Sequence, residues 1–509
     1  MTREEARRLV GGVFAVRFPR SWDQIDLTRF PITSYIVFRD VLGPTAEACR
    51  QRFGDAAAVL VEHGLGLPSL MMDEEGGRVT QTAEFFQSVP SARAVARALT
   101  PEEAGTLYLH LAAYLADLGI GINLAPCVDV NTEPMNPIIG TRAFGDNPER
   151  VSLFAREAIA AMRKRVVCVA KHFPGHGSTR LDSHLALPVV EESRERLEAV
   201  HLAPFREAIR AHVDGVMVSH CHYTGLQQDG MPASLSRAVV TDCLRRRLGF
   251  RGAVITDSLD MRAVTETVPP EKAAQFALAA GCDLLVYTEI SDRFEAAFEH
   301  IVNLAVKGVF DERKFTESAD RIRMPLFRKS LWALGRQMRM RSRAQPAQDD
   351  GTPRPSQPDP GEFDTRAYLD LLYRIRAACV EVSRGRDTLP VSLHRAAVIA
   401  TSPGVAARLE AHVSDLVDLS AGADPTGPWP AGRDLVLWLT EPLFLRYSID
   451  DLRALVARAP RTILVTTYRP LAEEMEDADV VVLTDDTSPH AEDTIVRWLF
   501  EKAQPGGPR

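Results

Sequence analysis

Short hydrophobic runs, separated by amphipathic segments, recur through the first two thirds of this 509-residue chain. The runs are rich in Val, Ile, Leu and Met, which is typical of parallel strands that helices cover on both faces. Eight predicted strands are Gly12–Arg17, Ser34–Phe38, Ser69–Met72, Ile122–Ala125, Val166–Ala170, Gly215–Ser219, Ala253–Thr256 and Leu284–Tyr287. The segments between them that predict helices include Pro101–Leu118, Pro148–Arg165, Glu191–His212 and Glu271–Ala280. Eight βα repeats predict an α/β fold of the (β/α)8 TIM-barrel type. A doubly wound sheet is the alternative, although the repeats contain no Gly-rich phosphate loop.

The character of the chain changes after about residue 334. A basic run, Arg336–Arg341, is followed by five prolines before residue 361, which predicts a flexible linker over 334–363. The barrel is then expected over 1–333, and a smaller α/β accessory domain over 364–509. The strands predicted in this second domain are Ala396–Ala400, Leu435–Leu439, Thr462–Thr466 and Val480–Leu483, and its predicted helices include Thr365–Arg384 and Ser448–Arg458.

Composition excludes several classes of partner. A net charge of −8 and a pI of about 6.0 argue against nucleic-acid binding. No apolar run reaches the roughly 18 residues that a membrane helix needs. Glu4 and Glu5 are acidic where a signal peptide has a basic segment, so no signal peptide is expected. The seven cysteines are scattered, which predicts free thiols in a reducing compartment and a cytoplasmic protein. Cys221 lies between His220 and His222 without a CxxC or HExxH partner, so no metal or cofactor is expected.

Polar residues follow the predicted strands at their carboxyl ends. They are Asp73 and Glu75 after the third strand, Asn123 and Asp129 at and beyond the fourth, Lys171 and His172 after the fifth, His220 after the sixth and Asp257 after the seventh. In a barrel of this type the active site lies at the carboxyl ends of the strands. The pattern therefore predicts an active face there.

The densest cluster of ionisable residues is the segment from Lys171 to His184. If the chain bends between Asp182 and His184, the carboxylate can accept a hydrogen bond from one ring nitrogen of His184 and so fix its tautomer. That pair predicts a group that can donate and accept a proton near neutral pH. Asp257 is a carboxylate at the end of a buried strand, and burying its charge costs free energy unless it is paired or has a catalytic role. The alternative is that Asp257 caps the following helix.

These residues resemble a known family. Lys171-His172-Phe173-Pro174-Gly175-His176-Gly177, followed by Asp182-Ser183-His184, is similar to the signature loop of glycoside hydrolase family 3 β-N-acetylglucosaminidases, which include cytoplasmic peptidoglycan-recycling enzymes of bacteria. The resemblance spans about residues 8–330. Segments that agree in order and spacing are Asp73–Val79, Asn123–Pro126, Asp129–Asn131, Ile139–Gly145 and Ile255–Asp257.

The resemblance implies a retaining hydrolase that removes terminal β-linked N-acetylglucosamine from a small glycan, such as a peptidoglycan fragment. It implies that Asp257 is the nucleophile, His184 the acid/base and Asp182 its orienting partner. It also implies that four residues hold the sugar in the cleavage subsite: Asp73, Arg142, Lys171 and His172.

The chain departs from the family pattern at three positions near these residues. Gln81 stands where the family often has an arginine, Glu74 where it usually has glutamine, and Ser258 where relatives often have aspartate. The loss of a planar bidentate donor at position 81 affects contacts to the sugar or the aglycone.

Besides a β-glycosidase of other sugar specificity, three alternatives remain at the level of sequence. A histidine acid/base leaves no carboxylate to repel phosphate, so the enzyme could be a phosphorylase. A metal hydrolase would use His172, His176 and His184 as ligands. A glycan-binding protein without catalysis is the third, although such a protein has no need of both Asp257 and His184.

Overall fold

The structure is a computed structural model that describes residues 1–343 except 84, 85, 87, 88 and 180–186. Beyond residue 343 it describes six strands together with residues 368, 370–372, 374, 375, 478 and 488. Asp182 and His184 lie outside the described residues, as do the predicted helix Ser448–Arg458 and the predicted linker beyond residue 343.

Eight parallel strands close into a barrel, with neighbours in chain order and the first strand paired to the eighth. They are β1 Phe14–Arg17, β2 Ser34–Ile36, β3 Ser69–Met72, β4 Ile122–Asn123, β5 Val167–Phe173, β6 Gly215–Val218, β7 Ala253–Ser258 and β8 Leu284–Tyr287. The predicted (β/α)8 barrel is therefore confirmed. Strands β5 and β7 extend past the predicted hydrophobic runs, because the strand backbone continues through the polar residues Lys171, His172 and Asp257.

Helices surround the barrel, and local capping residues set where they begin. The side chain of Thr100 accepts from the backbone N–H of Glu103, whose carboxylate accepts in return, and a proline follows at the first helical position. The described α-helices of four or more residues are α1 Arg3–Gly11, α2 Ala46–Glu62, α3 Ala92–Ala98, α4 Pro101–Leu118, α5 Pro148–Met162, α6 Leu202–Arg210, α7 Arg262–Thr265, α8 Pro270–Ala280, α9 Asp292–Val306 and α10 Glu312–Arg343, with π-helical segments at Leu197–His201 and Ala238–Arg247.

Helix α10 lies across the amino-terminal end of the barrel. Ile322 and Leu326 join the cluster of inward-facing side chains from the strands. The ammonium of Lys329 donates to the carbonyl of Val166 at 2.7 Å, just before β5, and pairs with Asp214 at 2.6 Å, just before β6. The carboxyl ends of the strands are left as the face on which a site can form.

Helix α10 also moves one predicted boundary. It continues to Arg343, so residues 334–343 of the predicted linker are helical. The basic run Arg336–Arg341 carries arginine and methionine, which are good helix formers, and the first proline comes only at Pro346.

A second, six-stranded sheet is formed by the carboxyl-terminal part of the chain. Its strands are β9 Val380–Arg384, β10 Ala396–Ala400, β11 Asp415–Asp418, β12 Asp434–Leu439, β13 Thr462–Thr466 and β14 Val480–Thr484, in the order β9-β14-β13-β12-β10-β11. Four of them were predicted. The prediction that helix Thr365–Arg384 reaches Arg384 is wrong, because residues 380–384 alternate apolar and polar and pair antiparallel with β14. Strand β11 was not predicted, because it begins and ends with an aspartate and so contains no longer apolar run.

None of the helices in the described part of the chain combines the length and apolar character that a membrane crossing requires.

Candidate active site

A buried lysine joins two carboxylates at the carboxyl ends of β3 and β5. The ammonium of Lys171 lies 2.5 Å from Asp73 Oδ1 and 2.5 Å from Glu75 Oε1. The Lys171 and Glu75 side chains are 2% and 5% exposed, whereas Asp73 keeps 26% exposure. Burial alone would lower the pKa of Lys171, but the two carboxylates outweigh it and raise that pKa. The lysine is therefore held as a cation behind a carboxylate that faces the open end of the barrel.

Arg142 completes this ion-paired group from the loop after β4. Its Nε and Nη2 donate to the two oxygens of Glu75 at 2.9 and 2.7 Å, a bidentate pairing. Burial opposes ionisation of Glu75, but Arg142 and Lys171 lower its pKa far below the ordinary value. Glu75 is thus an anion shared by two cations, and it sets where both cationic groups lie.

His172 is oriented from both ring nitrogens. Its Nδ1 lies 2.7 Å from Asp129 Oδ2, and Arg142 Nη2 lies 3.2 Å from its Nε2. A guanidinium nitrogen can only donate, so Nε2 accepts from Arg142 and Nδ1 carries the proton that is donated to Asp129. This fixes the tautomer and the ring plane of His172.

Asp129 is fully buried and collects donors from the segment after β5. Its oxygens accept from the backbone N–H of His172 at 3.1 Å and of His176 at 2.6 Å, in addition to the His172 ring. Burial would raise the pKa of Asp129, but the His172 imidazole and the His176 N–H lower it to about 2. Burial, followed by the neighbouring His172, lowers the pKa of His176 to about 4.

Among the described residues, the hydrogen-bond partners of the Glu74 carboxyl group include no cation. Its oxygens accept from the hydroxyl of Thr80 at 2.5 Å and from the backbone N–H groups of Gln81 and Thr82 at 2.8 and 3.1 Å. The amide of Asn123 bonds the Glu74 backbone on both sides. Complete burial raises the pKa of Glu74 to about 7, although these donors oppose the rise. Glu74 fixes the loop that follows Asp73 and does not face the open end.

Asp257 reaches the same face from β7. Its side chain is partly exposed, and its Oδ1 accepts from the backbone N–H of Ser258 at 2.8 Å. Its charge acts on His176, which places the carboxylate beside the segment after β5. His220 is fully buried, with its ring nitrogens 2.7 Å from Ser234 Oγ and 2.8 Å from the Ser258 carbonyl, so it supports the strand that carries Asp257.

The structure thus brings together Asp73, Arg142, Lys171 and His172, and it places Asp257 on the same barrel face. The predicted pair Asp182 and His184 lies outside the described residues. Glu75 and Asp129 were recognised as strand-end residues but were given no role in the predicted site. Their roles depend on partners 67 and 43 positions away along the chain, and no local pattern reports those contacts.

Cys127, Asp129 and His172 are close enough to suggest a metal site. The Asp129 carboxylate is already occupied by hydrogen bonds, including one from the thiol of Cys127 at 3.2 Å, and the other ring nitrogen of His172, Nε2, accepts from the Arg142 guanidinium. Burial, and then the neighbouring Asp129 carboxylate, raise the pKa of Cys127 well above its ordinary value, which opposes thiolate ligation. Hydrogen bonding explains the cluster.

Comparison with known proteins identifies the family. The model of the glycosyl hydrolase family 3 N-terminal domain matches residues 37–324, more than half of the 509 residues. This chain belongs to glycoside hydrolase family 3. The predicted resemblance and the prediction of a glycoside hydrolase are confirmed.

Relatives of this family 3 chain include hexosaminidases. The β-hexosaminidase of Alkalilimnicola ehrlichii is 35% identical over 248 residues, which are 47% of this chain and 70% of that protein. A family 3 β-N-acetylglucosaminidase from Paenibacillus sp. str. FPU-7 shares the fold over 97% of this chain and 96% of its own, with a TM-score of 0.75 and 23% identity. The β-glucoside phosphorylase BglX covers 99% of this chain and 95% of its own, with a TM-score of 0.69 and 16% identity. These two structural likenesses establish the fold alone.

Proposed function

We propose that this family 3 enzyme is a retaining β-N-acetylhexosaminidase that removes terminal β-linked N-acetylglucosamine from small glycans. The observation that carries the proposal is the arrangement of two part-exposed carboxylates, Asp73 and Asp257, in front of the buried ion-paired group of Lys171, Glu75 and Arg142. The matched relative that is named a β-hexosaminidase supports the choice of sugar.

In this proposal the sugar is held by groups whose charges are fixed before it binds. Asp73 accepts hydrogen bonds from a pair of sugar hydroxyls, and its position is set by Lys171. The lysine has three N–H donors, and among the described residues two carboxylates take two of them, so the third can serve a sugar hydroxyl. Arg142 and His172 complete the subsite. Preorganisation of this kind lowers the cost of orienting the sugar.

The proposed reaction has two steps. Asp257 attacks the anomeric carbon, the bond to the aglycone oxygen breaks, and His184 gives that oxygen its proton. A water molecule then attacks the same carbon, His184 takes its proton, and Asp257 leaves as a carboxylate. Asp182 orients His184 and stabilises its cationic form. Two inversions at one carbon give net retention.

Peptidoglycan fragments in the cytoplasm are the proposed natural substrates. The family resemblance supports this choice, and six buried free cysteines among the described residues suit a reducing compartment.

Replacing Asp257 by Ala tests the nucleophile. We expect hydrolysis of 4-nitrophenyl N-acetyl-β-D-glucosaminide to fall by about 10³-fold or more, because no glycosyl-enzyme forms. Added azide should restore turnover and give the α-glycosyl azide, since a small anion can occupy the space of the missing carboxylate. Asp242→Ala, the same change at an exposed helical position, is the control and should keep its activity.

A rate for Asp257→Ala near that of the wild type would remove this residue from the nucleophile role. The same assay in phosphate buffer separates hydrolysis from phosphorolysis. If N-acetylglucosamine 1-phosphate is the main product, the enzyme is a phosphorylase and the proposed hydrolysis is wrong.

A further inference from the structure

Residues from the carboxyl-terminal half of the chain belong to the hydrophobic core of the barrel. Tyr368, Leu371, Leu372 and Ile375 are buried, and they lie in the same cluster of apolar side chains as the helices around the barrel. An exposed ion pair at the edge of this contact joins Arg374 to Glu103 of α4 at 2.6 Å. The described helical residues 368, 370–372, 374 and 375 are therefore packed on the barrel wall next to α4.

The aromatic ring of Tyr368 stacks on the loop that connects β3 to α3. Its centroid lies 5.5 Å from that of Phe86, and Phe86 stacks in turn on Tyr114 of α4 at 3.8 Å with the rings 9° from parallel. The centroid of the His110 ring lies 5.7 Å from that of Tyr368. Phe86 is thus held between Tyr114 of the barrel and Tyr368, which lies after the linker segment.

Phe86 belongs to a loop that folds back on its own start. Its backbone N–H donates to the Thr82 carbonyl at 3.0 Å, and the Val89 carbonyl accepts from Gly77 at 2.9 Å. Gly76 and Gly77 have φ of +98° and +56°, and a Cβ on Gly76 would lie 2.5 Å from the Val89 carbonyl oxygen. The two glycines permit this close approach, so the positions of Phe86 and Val89 are coupled to the position of residues 75–77.

Residues 74 and 75 link this loop to the candidate active site. Thr82 donates to the buried carboxylate of Glu74, and Glu75 pairs with both Arg142 and Lys171. A shift of the loop at Phe86 would therefore move Glu75, and Lys171 would lose one of the two carboxylates that hold it beside Asp73.

We propose that Tyr368 is a positioning residue for the family 3 active site, and that it acts by holding Phe86 and with it the loop over 73–91. It touches no substrate. The effect on substrate rests on the proposed function, because Asp73 and Lys171 are taken as sugar-binding groups there. The effect on the loop does not.

Replacing Tyr368 removes one face of the stack and leaves a cavity beside Phe86. We expect the KM of Tyr368→Ala to rise about tenfold while kcat changes little, because Asp73 and Lys171 hold the sugar and Asp257 lies on β7. Partial unfolding would instead lower the number of active molecules, and so lower kcat at constant KM.

The experiment measures two quantities on the full chain. The first is KM and kcat for 4-nitrophenyl N-acetyl-β-D-glucosaminide. The second is hydrogen–deuterium exchange of the peptide over 73–91, with the β7 peptide over 253–258 as internal reference. The variants are Tyr368→Ala, Tyr368→Leu, which keeps apolar volume without a ring, Tyr368→Phe, and the matched control Arg374→Ala in the same segment.

The proposal expects exchange over 73–91 to rise about tenfold in Tyr368→Ala, less in Tyr368→Leu, and to stay near the wild-type rate in Tyr368→Phe and Arg374→Ala. If Tyr368→Ala does not fold, Tyr368→Leu decides the matter. Unchanged exchange in a folded Ala or Leu variant overturns the proposal, as does an equal rise over 253–258. If the wild type does not turn over the substrate but exchange responds as expected, the proposed function fails and Tyr368 keeps its role.

Discussion

Glu74 is a completely buried carboxyl group with no cation among its described hydrogen-bond partners, and the chain departs there from the usual glutamine. Its pKa rises from 4.5 to about 7 on folding. A carboxyl group whose pKa is raised on folding stabilises the folded state when the pH lies below its pKa in the unfolded state. That stabilisation is lost as the pH rises through its pKa in the folded state. The shift corresponds to about 3 kcal/mol, and about 2 kcal/mol of it is lost between pH of about 5.5 and 8.5.

Glu74→Gln removes this pH dependence without emptying the site. The amide oxygen still accepts from the N–H groups of Gln81 and Thr82, and the new NH₂ can donate to the hydroxyl of Thr80. We expect the variant to gain about 2 kcal/mol relative to the wild type when pH rises from about 5.5 to 8.5. Its activity should stay close to that of the wild type.

Urea denaturation at the two pH values, with refolding checked at each, measures the free energy of unfolding of Glu74→Gln relative to that of the wild type. Glu4→Gln is the matched control, since that side chain is 82% exposed and the same change should leave the pH dependence as it is. If Glu74→Gln and the wild type lose stability in parallel as pH rises, burial does not hold the carboxyl protonated in the folded state and the reasoning is wrong.

Two further predictions concern His184 and Asp129. His184→Ala should lower turnover of substrates with poor leaving groups by about 10²–10⁴-fold and affect activated aryl glycosides much less, because a good leaving group needs little protonation. Equal losses on both kinds of substrate, measured as kcat/KM, would mean that His184 only binds or shapes its loop. Asp129→Asn should destabilise the protein by about 2 kcal/mol at neutral pH, and the difference should shrink as pH falls through about 3.8 toward 2, because the lowered pKa of Asp129 contributes stability only above that range. A denaturation midpoint equal to that of the wild type at pH of about 7 would contradict this.

The sequence by itself determined the barrel, because each strand of a parallel sheet is buried on both faces and therefore appears as a short apolar run. It also predicted that Asp73, Lys171 and Asp257 lie on one face of the barrel, since each follows such a run in the chain, and the structure places them there. In β5 polar residues continue the strand, so the apolar run placed the end of the strand too early. In β11 aspartates lie at both ends of a short strand, so the strand was not predicted.

Only the tertiary structure decided how these residues are connected. The pairing of Glu75 with Arg142 and Lys171, and of Asp129 with His172, joins residues far apart in sequence, and hydrophobic periodicity carries no information about such pairs. The same holds for the second half of the chain. The sequence assigned residues 364–509 to an accessory domain. The packing of Tyr368 on Phe86 joins part of that segment to the barrel core, because a ring is buried by whichever surface the fold brings against it.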